Sequence, residues 1–507
     1  MSKEKLTGDC LRIVLKELEE DKDTLYSCLL VNKLWCELTV EVLWSQPFRI
    51  TRSSPSSKLI EIYMRFLSAE QIQKIKQETG TLLINEEEYN DDYDYFGATV
   101  FLPMFDYPIF LKNLSYLDLY ISVSKWFNLY DKWCEVYRER VAILSRVLLE
   151  MFMLKSNSLV KLSIETGDMF MVKNNHLNVF GLPGSDECLA KLKQFTCIGD
   201  FLKYEIFLSA SKTSRNIKTL YISPGRVGAL HEHNVPQRQI DNLIELIKVQ
   251  KNLEHLALHS CNQPNRLVGS LMCLLDQQIH SLRHLEFILF SFNISNGNNN
   301  DIIDFTPLTG LKNLETLTFE SCKGIKNLME VFSSRNELKN LKKLSFKNTI
   351  MKDNVLAEFI ENSKSLSTLH IGPIEINDPT DPINIFDSLE HLIIHADWCF
   401  SSYDLLLGLK GCRAKLKTFK IPDSYCLNDS HLFVIAACLG ESLKYLDISY
   451  ASPSQITGEG LSKVRSVIER VDYRYKKDRK YSDFWNLRFW GENWVEEPII
   501  GDFLEQD

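Results

Sequence analysis

The chain has 507 residues, 45% of them apolar and 11% aromatic, which is enough for two or three sizeable cores and excludes a disordered chain. Fifty-eight basic residues against 67 acidic ones leave a formal charge of -9, arguing against nucleic-acid binding as the main role. The N-terminus MSKEKLTGDC lacks the apolar core of a signal peptide and no run of 18 apolar residues occurs, so a soluble cytoplasmic or nuclear protein without membrane contact is expected.

Residues 1–48 hold three short amphipathic segments. Leu6, Leu11, Val14, Leu15 and Leu18 recur at three- and four-residue steps, followed by Leu25, Cys28 and Leu29, and then by Trp35, Leu38, Val42 and Leu43, which predicts three helices. Asp21, Lys22, Asp23 and Thr24 separate the first two. A unit this small, apolar on more than one face, gains stability by docking. Its pattern resembles the F-box: Leu6, Asp9, Cys10 and Leu11 at the start, Val31-Asn-Lys-Leu-Trp35 in the middle and Leu43-Trp44 at the end. CLLVNKLWCELTVEVLW is similar in particular to the large F-box families of fungi. Thr7 stands where that family usually has Pro, and Asn32 where many members have Cys. Thr7 still suits a helix N-cap, and Asp9 suits a first turn.

Residues 49–113 form a transition. SKLIEIYMRFLSAEQIQKIKQETG, from 57 to 80, spaces Leu59, Ile62, Phe66, Leu67, Ile72 and Ile75 for one or two helices. EEEYNDDYDY, from 86 to 95, carries six carboxylates in ten residues and reads as a solvated loop, with docking of a basic partner as the sharper alternative.

Between residues 114 and 470 a six-residue pattern returns twelve times, with apolar residues at its first, fourth and sixth positions. It starts at 114, 159, 192, 217, 253, 282, 314, 341, 366, 389, 416 and 443, with examples such as LEHLAL, LRHLEF and LKYLDI. The later steps, 23 to 27 residues, fit leucine-rich repeats, and several units are similar to the cysteine-containing type, with Cys261 and Cys322 eight residues into their repeats and Cys438 in a helix. The fold expected is an α/β leucine-rich-repeat solenoid preceded by a small three-helix F-box, with parallel strands on a concave face and helices outside. Return helices are expected around Ile240, Leu243, Ile244 and Ile247, and around Leu432, Val434, Ile435 and Cys438. NISNGNNNDI, from 293 to 302, reads as a polar inserted loop. LSKVRSVIERVDYRY reads as an amphipathic helix closing the last repeat. Residues 471–507, with Trp485, Phe489, Trp490 and Trp494, read as a cap on the terminal repeat or as a tail contacting a partner.

The chain has none of the usual phosphate-binding, zinc-hydrolase or nucleophile-elbow motifs, so no catalytic residues, no metal site and no cofactor are expected. Thirteen cysteines without a C-x-x-C spacing read as small buried apolar residues, and HEH at 231 to 233 as an exposed loop. Third and fifth strand positions face away from the core. There Tyr221, His255, His284, Glu286, Lys343, His370, His391, Lys420, Tyr445 and Asp447 are candidates for binding a target protein, with His255 and His284 on adjacent strands about 5 Å apart.

The resemblance implies a function. F-box proteins with leucine-rich repeats are substrate receptors of cullin-RING ubiquitin ligases, in which the box binds a Skp-type adaptor and the repeats hold the target. It further implies that Leu6, Asp9, Cys10, Leu11 and Val31 contact the adaptor, whereas Trp35 and Trp44 support the module's own core. A repeat scaffold outside any ligase is the alternative.

Overall fold

The computed structural model of the chain describes residues 8–48, 56–79, 103–127, 135–165, 178–199, 205–224, 237–259, 274–275, 280–290, 292–296, 299–302, 305–323, 325, 340–347, 349, 351–352, 365–371, 374–375, 389–394, 416–421, 427–449 and 455–473. Two compact units result, residues 1–350 with 354–366, and residues 351–353 with 367–507.

The first unit opens with three helices, α1 (Gly8–Glu17), α2 (Lys22–Cys28) and α3 (Lys33–Leu43). Leu11, Leu15, Leu25, Cys28 and Leu38 close a core among them, and Leu18, Trp35, Val42 and Leu43 pack around it. Side chains start the second and third helices. Asp21 accepts the amide of Thr24 and Asn32 accepts the amide of Trp35, each a standard N-cap. Lys22, Asp23 and Thr24 therefore form the first turn of α2 rather than a linker. Val14, expected in the buried stripe, is 46% exposed, because α1 buries only its Leu11–Leu15 ridge.

Both helices expected in the transition are present, α4 (Ser56–Met64) and α5 (Ala69–Thr79). Tyr63 of α4 is fully buried and meets Trp44, Phe48 and Phe152 in edge-on and tilted ring contacts. Two further helices come after these, α6 (Tyr116–Trp126) and α7 (Glu135–Lys155).

Parallel strands then repeat. They are β1 (Asn113–Ser115), β2 (Lys161–Glu165), β3 (Gln194–Gly199), β4 (Thr219–Pro224), β5 (His255–His259) and β6 (His284–Ile288). A small antiparallel hairpin, β7 (Asn293–Asn296) with β8 (Asn299–Ile302), interrupts them where a loop was expected. β9 (Thr316–Glu320) and β10 (Lys343–Lys347) complete the first unit's sheet, in the order β1-β2-β3-β4-β5-β6-β9-β10.

In the second unit β11 (Met351–Lys352) pairs with β13 (Ile374–Glu375). Its main sheet runs β12 (Thr368–Ile371), β14 (His391–Ile394), β15 (Thr418–Lys420), β16 (Tyr445–Asp447) and β17 (Arg470–Asp472), all parallel.

Equal repeat positions face each other across these strands, as His255 opposite His284 and Leu256 opposite Leu285 show. First, fourth and sixth positions are buried, Leu253, Leu256 and Leu258 among them. Sixth-position rings stack from repeat to repeat, Phe287 on Phe319 at 5.5 Å and Phe319 on Phe346 at 5.6 Å. The parallel α/β leucine-rich-repeat solenoid is thus present, and its helices bury apolar faces as expected. In the helix Gln237–Lys248 the buried set is Ile240, Leu243, Leu246 and Ile247, so Leu246 takes the place expected for Ile244. In the helix Asp429–Leu439 it includes Leu432, Ile435, Ala436 and Leu439, leaving Val434 and Cys438 half-buried.

Two repeats differ from the reading of the sequence. At the start, Asn113 pairs with Lys161 and Leu114 with Leu162, so the first repeat begins at Leu111 and uses Leu111, Leu114 and Tyr116, three residues earlier than LSYLDL suggests. LDL belongs to α6 instead, whose N-cap is Ser115. At the other end, LSKVRSVIERVDYRY is not one helix. Thr457 caps a helix Gly458–Arg465, and β17 then pairs Arg470 with Tyr445, giving a thirteenth repeat that starts at Ile468. The acidic segment 86–95, the HEH sequence, Cys261 and the four tail aromatics Trp485, Phe489, Trp490 and Trp494 lie outside the described residues.

Candidate functional site

The N-terminal module carries the first candidate surface. Among the described residues, six of the eleven exposed large apolar side chains lie on it: Ile13, Val14, Tyr26, Leu30, Val31 and Leu34. Leu30 and Val31, 88% and 57% exposed, occupy the turn between α2 and α3, where the backbone closes over Ser27 and Cys28 carbonyls and turns the side chains outward. A core closed on itself that still shows exposed apolar side chains makes this face a candidate docking surface.

The residues expected to touch an adaptor separate on this geometry. Val31 belongs to the exposed belt, and Asp9 and Cys10 are exposed on α1, with Asp9 3.3 Å from Arg12. Leu11 is only 2% exposed and fills the module's core, because its position on α1 faces α3. Leu6 lies outside the described residues. Ile13, Leu30 and Leu34 were missed, although apolar residues left over from each helix's buried stripe are the signal that finds them. Trp35 packs on the core as expected, whereas Trp44 stacks on Tyr107 at 3.7 Å and so joins the module to the segment that leads into β1.

The solvent side of the first unit's sheet is the second candidate surface. His255 and His284 sit in register on β5 and β6 with ring centroids 5.5 Å apart, close to the separation expected. Glu286 lies two positions on, and its Oε1 is 3.6 Å from Nε2 of His255. The fifth-position row reads Tyr221, Ala257, Glu286, Thr318 and Ser345 across five adjacent strands. Lys343 stands exposed on the third-position row, two strands from His284.

Glu286 is 7% exposed rather than open to solvent, because the fifth-position row is flanked by the third- and seventh-position rows on strands under 5 Å apart. Burial, together with the carboxylates of Glu286, Glu320 and Glu165, pushes the Tyr221 hydroxyl up to about 12. Burial and then His255 push the His284 imidazolium below its usual range.

On the second unit's sheet, His391 and Tyr445 share the third-position row, and His370, Lys420 and Asp447 share the fifth. Tyr445 donates to Asp472 at 2.8 Å, and the Lys420 ammonium and Arg470 guanidinium approach its ring at 5.7 and 5.3 Å. His370 is 5% exposed, another fifth-position residue more enclosed than its pattern suggests. Burial holds His391 low. Among the described residues no group of three or more His, Cys, Asp or Glu is arranged to hold a metal ion, and no helix is long and apolar enough to cross a membrane.

Cys322 closes a turn as the cysteine-containing repeats suggest. Its thiol donates to the Phe287 carbonyl at 3.3 Å, and its amide donates to the hydroxyl of Thr349, the matching residue of the next repeat, at 3.1 Å.

No family model and no curated protein matches the chain. Several solved structures resemble it. The TLR13–ssRNA13 complex aligns with a TM-score of 0.36 at 14% identity, over 62% of this chain and 42% of that one, so this chain spans about two fifths of its length. An internalin, InlF of Listeria monocytogenes, aligns at 0.31 and 14% identity over 65% of this chain and 85% of that one. The Rad7 and Elc1 complex of yeast aligns at 0.31 and 15% identity over 62% and 74%.

Proposed function

We propose that this chain is the substrate receptor of a cullin-RING ubiquitin ligase, its N-terminal module, residues 1–48, docking on a Skp-type adaptor and its repeats holding a target protein. The observation that carries this reading is the belt of Ile13, Val14, Leu30, Val31 and Leu34, exposed on a module whose core is already closed by other residues. Such a receptor performs no chemistry. It raises the effective concentration of the target's lysines near a charged enzyme, which requires only two binding surfaces at a fixed separation.

The test is binding of the purified full chain to a purified Skp-type adaptor. Wild type binds, and the double variant Leu30→Asp, Val31→Asp loses affinity by about a hundredfold or more with an unchanged melting temperature, since both side chains are exposed. Failure of wild type to bind, under conditions in which an established F-box protein does, overturns the reading. The repeats then act as an interaction scaffold outside a ligase.

A further inference from the structure

Cations at the second repeat position commonly face a carboxylate. Arg283 and Lys342 each reach Glu315 at 2.8 Å, Lys417 reaches Glu390 at 3.0 Å, and Lys218 reaches Glu254 at 2.5 Å. The four repeats from β1 to β4 are different. Their second and third positions carry Lys112, Lys161, Lys193 and Lys218 and no acidic residue. Lys161, Lys193 and Lys218 are exposed and Lys112 is half-buried. Among the described residues neither Lys161 nor Lys193 has an ion-pair partner, and Lys112 donates to the carbonyl of Ser158 at 3.5 Å.

The backbone ladder gathers these lysines into one strip. The Lys112 carbonyl accepts the amide of Lys161 at 3.1 Å, the Val160 carbonyl accepts that of Lys193 at 2.9 Å, and the Lys193 carbonyl accepts that of Lys218 at 2.7 Å. The four therefore stand on consecutive strands and span three strand spacings, roughly 15 Å. Lys193 and Lys218 hold equal positions on neighbouring strands, where like charges destabilise unless an anion lies between them. Gln194 and Thr219, both half-buried at the third position, add uncharged donors alongside. The strip is positive on a chain whose formal charge is -9, and it is bounded: Glu254 takes the second position of the next repeat and Glu165 ends β2.

We propose that the strip of Lys112, Lys161, Lys193 and Lys218 receives a short acidic segment of the target protein, rich in Asp and Glu. An extended segment rises about 3.3 Å per residue and repeats its side chains on one face every second residue, so about five residues cover the strip with two or three carboxylates. Those carboxylates lie between Lys161 and Lys193 and between Lys193 and Lys218, giving the unpaired ammonium groups their counter-charge. A long polyanion laid along the same row would run onto Glu254, which disfavours a nucleic-acid strand. This inference rests on the reading of the repeats as the target-holding part.

A displayed library of random dodecapeptides, panned on the full chain, tests it. Wild type enriches peptides with Asp or Glu at two or more alternate positions by about tenfold or more, and the double variant Lys161→Glu, Lys193→Glu abolishes that enrichment. Lys444→Glu with Lys463→Glu, the same change of charge on exposed lysines of the second unit, leaves it intact. Titrated by fluorescence anisotropy, the most enriched peptide binds the neutral double variant Lys161→Gln, Lys193→Gln about threefold or more weakly, and its binding to wild type weakens as salt is raised to about 0.5 M. No acidic enrichment with wild type, equal loss in both charge-reversed variants, or tighter binding of a thymidylate dodecamer than of the peptide overturns the proposal. Because the substituted lysines are exposed and unpaired, the Lys161→Gln, Lys193→Gln variant melts within about 3 °C of wild type, and a larger fall assigns the two lysines a structural role and also overturns it. Adaptor binding, measured in parallel, tests the N-terminal module by itself, so its failure sinks the ligase reading and leaves the peptide result standing.

Discussion

The carbonyl oxygen of Ser45 accepts the backbone amide of Asn113 at 2.9 Å, and that of Lys112 at the same distance. This doubled contact is the one that joins successive repeats. Lys112 accepts Val160 and Lys161 in the same way, Glu254 accepts Arg283 and His284, and Glu315 accepts Lys342 and Lys343. The N-terminal module therefore ends as the first rung of the repeat ladder. Its last residues cover the edge that β1 would otherwise expose, as a terminal cap must. In the proposed receptor, this connection ties the adaptor-docking belt to the first repeats.

Trp44 secures that rung, stacking on Tyr107 at 3.7 Å and meeting Tyr63 edge-on. Trp44→Ala removes both ring contacts from a half-buried site and should destabilise by about 2–3 kcal/mol. Hydrogen exchange should show lost protection at Lys112 and Asn113 while the amides of β9 and β10 stay protected. Equal loss throughout the unit would show that Trp44 serves general stability and not this junction.

Tyr63 supplies a second, opposite expectation. Its ring is fully buried among Trp44, Phe48 and Phe152, yet its hydroxyl has no hydrogen-bond partner among the described residues. Tyr63→Phe keeps the ring contacts and removes a desolvated polar group, so stability to urea should rise by about 1 kcal/mol. A loss of that size would mean that the hydroxyl is satisfied by bound water.

The residues that were legible in the sequence are those whose role is set by burial along one strand. Leu253, Leu256 and Leu258 show the rule, since a first-fourth-sixth pattern survives any choice of loop. The first repeat misled because two overlapping frames fit it: Leu111-Leu114-Tyr116 pairs with β2, while Leu114-Leu117-Leu119 satisfies the same spacing as the start of α6. The thirteenth repeat hid behind Val471 and Tyr473, which extend a helical-looking run. On the module, the apolar stripe was readable but not which of its members face inward, and Leu11 is buried where Val14 is exposed. The surroundings of Glu286 needed the neighbouring strands. Nothing in LRHLEF alone reveals that its carboxylate faces Ala257 and His255.

Second-position residues form a charged row that the sequence pattern treats as variable. Lys218, Glu254, Arg283, Glu315 and Lys342 alternate in sign, with Glu315 bridging Arg283 and Lys342 at 2.8 Å each. The hydrogen bond from Lys342 holds the Glu315 carboxyl below its usual range. Its stabilising contribution is therefore present above the unfolded value and is lost as pH falls through the folded one. Glu315→Lys places three cations in sequence and should cost about 1 kcal/mol, diminishing in 1 M salt because the pairs are solvent-exposed. A salt-independent loss would point to packing instead of charge.

His284 reports directly on the charges around it. Burial lowers its proton affinity, His255 lowers it further, and Glu315 and Glu286 oppose them. A base held below its unfolded value of about 6.5 imposes no penalty above that pH. As pH falls, the unfolded chain binds the proton first, so stability declines until the folded value is passed. Imidazole resonances should show His284 titrating below the unfolded histidine range. Glu286→Gln should push it lower still, since a carboxylate that favours the charged ring is gone, and His255→Gln should bring it back up. Shifts of the same sign in both variants would mean that burial alone sets the value and that Glu286 and His255 do not face His284 as a pair.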